Sequence, residues 1–148
     1  MRTIYPALCY TKEEAAEKAV AIGAMTHRND SSDKYCKLYV ELVADALDDP
    51  EATVQAVRRL AESLEELPPT GWVVGSFSCA LKAIAQTENF EEAIVQAVNL
   101  GGDADTIGAI AGGLAGAIYG YSAIPERWKR CLADNVRAAL DRLAARAG

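Results

Sequence analysis

The chain has 148 residues, 51% of them hydrophobic and 24% charged, a balance that fits one domain burying about two-thirds of its unfolded surface and excludes bulk disorder and collagen-like repeats. Lys and Arg total 15 against 21 Asp and Glu, giving a net charge of −6 and a pI near 4.8. That balance speaks against general attraction to nucleic acid or to an anionic membrane.

Strand signals are almost absent, and apolar residues recur at helical spacing in most windows, which predicts an all-α fold over residues 1–148. The capping box Thr11-x-x-Glu14 opens a first helix reaching about Met25, with Ala15, Ala19 and Ile22 facing inward. Thr26 to Ser32 reads as a loop. A second helix carries Tyr35, Leu38, Tyr39, Leu42, Val43 and Ala46 on one stripe and stops before Asp48-Asp49-Pro50. Asp49 as cap with Pro50 at the first helical position starts a third, which turns Val54, Val57, Leu60, Ala61 and Leu64 to the core. After the punctuation of Pro68-Pro69-Thr70-Gly71, a fourth helix runs from Trp72 to about Thr87, and Asn89-x-x-Glu92 caps a fifth through Val98. Gly101-Gly102 ends it. A sixth helix spans about Asp105 to Gly120, and a seventh, opened by Pro125, carries Trp128, Leu132, Val136, Leu140 and Leu143. The charge is uneven along this order: residues 1–123 have net −9, whereas 124–148 have net +3. A closing helix whose dipole favours cations late in its length accounts for the basic end.

Cys9, Cys36, Cys79 and Cys131 are scattered, with no C-x-x-C pair and no secretory leader, so a reducing cytoplasm is expected. The apolar stretch from Thr106 to Ala123 is Gly-rich and just short of a membrane span, and it reads as a buried helix. His27 is the single histidine, which excludes multi-histidine metal sites.

Chemistry concentrates in Gly101-Gly102-Asp103-Ala104-Asp105-Thr106. Flexible backbone delivers two carboxylates and a hydroxyl to the start of a helix, oxygen donors of the kind Mg²⁺ or Mn²⁺ takes. Spacing alone favours a structural role, with Asp105 as N-cap, Asp103 favoured by the dipole, and the glycines stopping the previous helix. Gly108, Gly112, Gly116 and Gly120 then repeat every fourth residue, which costs a helix about 0.8–1 kcal/mol per interior glycine relative to Ala. Close packing against neighbouring helices is the expected return, and it would hold the acidic turn rigidly at the centre of the domain.

These segments, with Thr70-Gly71-Trp72-Val73, Asn99-Leu100, Gly112-Gly113-Leu114-Ala115-Gly116-Ala117, Tyr119-Gly120 and Ile124-Pro125-x-x-Trp128, resemble the ADP-ribosylglycohydrolases, which include the dinitrogenase-reductase-activating glycohydrolases. The resemblance implies a compact orthogonal bundle of about seven helices, a partial version of that fold. It implies a Mg²⁺ or Mn²⁺ centre cleaving the N- or O-glycosidic bond between ADP-ribose and a side chain or small acceptor. Asp103, Asp105 and Thr106 fall on the family's C-terminal metal motif, the two aspartates also being catalytic. His27, in a Thr26-His27 turn, and Gly102 fall near the substrate.

Met1-Arg2-x-x-x-Pro6 resembles an internal family segment, so the chain begins mid-family. The family's upstream Gly-Asp segment, Thr-Asp-Asp metal motif and Gly-rich loop have no counterpart, and Asp48-Asp49 is explained by helix capping. The expectation is therefore a loosely held ion and poor turnover by the chain alone. The remedy would be a homodimer or a complementing N-terminal fragment, with no nucleic-acid or membrane partner. The alternative is a non-catalytic ADP-ribose-binding or oligomeric interaction module.

Overall fold

The computed structural model describes residues 3–147, so the Met1-Arg2 pair lies outside the described residues. Its helices are α1 (Tyr5–Cys9), α2 (Lys12–Ala24), α3 (Asp30–Asp48), α4 (Pro50–Ser63), α5 (Val73–Ala85), α6 (Phe90–Asn99), α7 (Ala104–Tyr119), α8 (Glu126–Arg130) and α9 (Asp134–Ala147), with a 3₁₀ turn at Tyr121–Ala123. No strand occurs among the described residues.

Local chemistry explains most of the boundaries. Thr11 Oγ1 accepts from the Glu14 N–H while the Thr11 N–H donates to Glu14 Oε2 at 3.2 Å, a complete capping box. Asp49 accepts from the Ala52 N–H at 3.0 Å and Asn89 from the Glu92 N–H at 2.9 Å. Each satisfies an amide that a helix start leaves without an intrahelical partner. Asn29 does the same for Ser32 at 2.8 Å, so α3 begins at Asp30 and the expected Thr26 to Ser32 loop is shorter than read.

Two elements depart from the sequence reading. The short α1, with Pro6 in its first turn, has no side-chain cap and survives through burial of Pro6 and Ala7. The single helix expected after Pro125 is broken: α8 stops at Arg130, and Asp134 opens α9. The Cys131 N–H folds back on Trp128 O at 3.1 Å, and the Arg137 guanidinium donates to Lys129 O at 2.9 Å, pinning the corner.

Helix α7 lies at the centre, packed against α3, α4, α5 and α6. Ile107, Ile110, Leu114 and Ile118 meet Val40 and Val43 of α3, Val57 of α4, Phe77, Leu81 and Ile84 of α5, and Phe90 of α6 in one buried cluster. Each such side chain contributes about 1.5–3 kcal/mol when fully buried. Tyr35 and Phe77 add a tilted ring pair at 5.1 Å between centroids. No described helix is long and apolar enough to cross a membrane. The four-residue glycine stripe is used only in part. A Cβ on Gly108 would meet Val98 Cγ1 at 2.8 Å, yet one on Gly116 would meet nothing within 4 Å. The tightest approach is off that stripe, at Gly113, where a Cβ would stand 2.1 Å from the Tyr39 hydroxyl. That hydroxyl donates to Ile110 O at 3.2 Å, so the missing side chain lets α3 sit directly on α7.

Candidate active site

The site is built where the α6–α7 corner crosses the loop before α5. Gly101 and Gly102 adopt φ of 75° and 60°, the left-handed region that glycine enters without steric cost. A Cβ on Gly102 would lie 1.8 Å from Pro69 O, and the next N–H, of Asp103, donates to that same carbonyl at 2.9 Å. The crossed loop is itself anchored: the Ser76 hydroxyl donates to Thr70 O at 2.7 Å, and Ser78 to Glu65 O at 3.0 Å. Gly71 follows, and a Cβ there would stand 3.0 Å from Asp103 Oδ2, so the carboxylate lies over the bare glycine.

Asp103 occupies the N-cap position of α7 but its side chain makes no capping hydrogen bond, and Asp105 lies in the first turn. The cap expected at Asp105 falls at Asp103 without a side-chain hydrogen bond, while both acids keep their place at the positive end of the helix dipole. Among the described residues neither carboxylate enters a hydrogen bond or an ion pair, and Asp105 is exposed while Asp103 is half-buried.

Thr106, one residue further, faces a cavity of about 550 Å³ that also takes His27, Asn29, Ser32, Gly71 and Trp72 into its wall. That volume lies within the range of small-molecule sites. His27 is exposed, and its backbone N–H closes the turn after α2 on Gly23 O at 3.1 Å. The structure thus brings Thr106 and His27, far apart in sequence, onto one cavity, with Asp103 adjoining its wall through Gly71. Asp105 and Gly102 are outside the lining; the Gly102 backbone is committed to the crossing with Pro69.

Sequence reasoning assigned no role to Trp72, whose indole is 56% exposed at the cavity wall. Its aromatic side chain stands where it would meet a molecule filling the cavity. The signal available was an aromatic directly after Pro-Pro-Thr-Gly, which breaks the periodicity of the helix that follows. Hard oxygen donors from Asp103, Asp105 and Thr106 suit a cation such as Mg²⁺ or Mn²⁺. They form only part of a shell, since no group of three His, Cys, Asp or Glu residues able to hold a metal occurs among the described residues.

The ADP-ribosylglycohydrolase family model matches residues 1–148. An ADP-ribosylarginine hydrolase, Tri1, of Pseudomonas putida is 33% identical over 127 residues, covering 75% of this chain and 34% of that protein. The ADP-ribosyl-[dinitrogen reductase] glycohydrolase of Rhodospirillum rubrum is 40% identical over 83 residues, covering 53% of this chain and 28% of that protein. A solved ADP-ribosylglycohydrolase-related protein complex superposes with a TM-score of 0.83 at 33% identity, covering 96% of this chain and 56% of the solved one. The matches thus span about a third of the length of these curated relatives and just over half of the solved chain.

Proposed function

The chain belongs to the ADP-ribosylglycohydrolase family, and from that premise we propose that it supplies part of a site for hydrolysing the N- or O-glycosidic bond of ADP-ribosylated substrates. The observation that carries this reading is the convergence of His27, Trp72 and Thr106 on one cavity beside the uncapped Asp103.

ADP-ribose carries an anionic diphosphate, and two aspartates near its cavity would repel it unless a cation stands between them. Asp103, Asp105 and Thr106 would hold a Mg²⁺ or Mn²⁺ ion. Such an ion supplies Lewis acidity toward ribose hydroxyls and water. The chain's own groups do the rest. The Trp72 indole offers a flat apolar face for a base, a ribose or the guanidinium of an arginine acceptor. Val73 and Ile110 add apolar surface to the lining. The His27 imidazole and the Thr106 hydroxyl can hydrogen-bond to sugar or phosphate oxygens. Hydrolysis adds water across the bond at the anomeric carbon: the carbon gains a hydroxyl, and the departing nitrogen or oxygen gains the proton. Asp103, which adjoins the cavity wall through Gly71, can take a proton from the attacking water.

Two carboxylates are a sparse set for that task, which favours completion of the site by a complementing N-terminal fragment or a second copy. The same sparseness favours, as a second reading, a module that binds ADP-ribose without turnover. The four cysteines, all free thiols, support a reducing compartment such as the cytoplasm.

Calorimetric titration of ADP-ribose with and without Mn²⁺, beside an assay for ADP-ribose release from ADP-ribosylarginine, tests both. Binding that needs Mn²⁺ and disappears in Asp105→Asn supports the first reading, most strongly when release follows addition of an upstream family fragment. Metal-independent binding without release supports the module. No binding under any condition refutes both.

A further inference from the structure

Helix α5 is buried along most of its length, yet two hydroxyls and a thiol stand among its apolar residues: Ser76 and Ser78 are each 1% exposed, and Cys79 is 7% exposed. A buried hydroxyl is costly unless it finds a partner, and all three groups find theirs on the loop that leads into α5. Ser78 donates to Glu65 O at 3.0 Å, the Cys79 thiol to Leu67 O at 3.4 Å, and Ser76 to Thr70 O at 2.7 Å. That loop contains Pro68 and Pro69, which have no N–H of their own to tie it down. Side chains of α5 supply the missing donors.

The three bonds are not equivalent. Ser78, Cys79, Glu65 and Leu67 are outside the lining of the His27–Thr106 cavity, whereas Ser76 is part of it. The Ser76 hydroxyl also lies 3.3 Å from Trp72 O, which accepts the Ser76 N–H at 3.0 Å as well. One residue therefore grips the carbonyls on both sides of Gly71. Gly71 is the bare residue under the Asp103 carboxylate, and Trp72 carries the indole at the cavity wall. Trp72 is the N-cap of α5 and makes no side-chain cap of its own. The single proton of the Ser76 hydroxyl is committed to the loop, so Ser76 acts on a bound molecule through Trp72 and Gly71.

We infer that Ser76 is a positioning residue of the site: by holding the carbonyls of Thr70 and Trp72 it sets the Trp72 indole at the cavity and the floor of Gly71 under Asp103. The consequence for binding rests on the hydrolase reading, whereas the placement of Trp72 is measurable without a ligand.

Ser76→Ala and Ser78→Ala form a matched pair, each removing one buried hydroxyl from α5. Both are made in a Trp128→Phe parent, which leaves Trp72 as its one indole. Both should lower Tm by a similar amount. Only Ser76→Ala should change the emission maximum of Trp72 and its quenching by acrylamide. Only Ser76→Ala should weaken Mn²⁺-dependent binding of ADP-ribose, by about tenfold, the scale of a buried carbonyl left without its donor. Ser76→Cys keeps a weak donor at the same position; it should fall between parent and Ser76→Ala, and it replaces Ser76→Ala if that chain does not fold. Trp72 emission that stays unchanged without the Ser76 hydroxyl, or that Ser78→Ala changes equally, overturns the positioning role. So does ADP-ribose binding at the parent's affinity once Trp72 has moved. A parent chain that binds no ADP-ribose under any condition refutes the hydrolase reading instead, and the emission of Trp72 then decides the role of Ser76.

Discussion

Replacing Gly102 by alanine adds one methyl group at the crossing that presents Asp103. The backbone there has φ of 60°, and an L side chain in that region costs about 1–2 kcal/mol. The new Cβ would also stand 1.8 Å from Pro69 O, and the two atoms must part to at least 3.0 Å, the floor of real contacts. That movement breaks the 2.9 Å hydrogen bond from the Asp103 N–H to the same carbonyl, worth about 1 kcal/mol. The sum is a destabilisation of about 2–3 kcal/mol, or a fall in Tm of roughly 5–12 °C for a domain of this size. Gly101→Ala is the matched control, since φ there is 75° but nothing lies within 4 Å of the added carbon. It should lose only the conformational part, about 1–2 kcal/mol. Thermal melts followed by circular dichroism, with denaturant midpoints as a second measure, resolve the difference. If the two variants melt together, the corner is not held against Pro69, and the placement of Asp103 over Gly71 loses its physical basis.

Two glycines of α7 should respond with opposite signs. Gly113→Ala forces a carbon to 2.1 Å from the Tyr39 hydroxyl and should destabilise by about 1–3 kcal/mol despite better helix propensity. Gly116→Ala, in open space, should stabilise by up to about 1 kcal/mol; chemical denaturation of the pair checks this. The Arg127 guanidinium beside Glu91 holds that carboxyl below its ordinary value. A depressed folded pKa stabilises above the unfolded value, near 4.3, and the benefit disappears as pH falls through the lower folded value. Glu91→Gln should therefore lower Tm slightly at neutral pH and not at all in strong acid. Cys79 is buried, its thiol donating to Leu67 O at 3.4 Å and pushed up in pKa by desolvation. Iodoacetamide should label Cys9 and Cys131, both exposed, well before Cys79, as peptide mass mapping would show; early labelling of Cys79 would mean that α5 is not packed as described.

Features written in short-range chemistry were legible without coordinates. The capping residues Thr11, Asp49 and Asn89 act within three positions of themselves, and the amphipathic stripes of α3 and α4 need only their own periodicity. The acidic turn belonged to this class as well, because Gly-Gly-Asp-x-Asp-Thr carries its donors side by side. Features set by distant neighbours were not legible. Nothing near Gly113 announces that Tyr39 will rest on it, and the aromatic after Pro-Pro-Thr-Gly marks Trp72 as unusual without showing that its cavity wall is shared with His27 and Thr106. The break after Arg130 likewise depends on where Arg137 reaches, not on any proline or glycine at the corner. Helix identity is decided by the backbone within a turn or two, so one strand of residues suffices to specify it. Whether Asp103 caps its helix or stands uncapped over Gly71 is decided by the Pro69 carbonyl, more than 30 residues away in the chain, and only folding brings that group into contact.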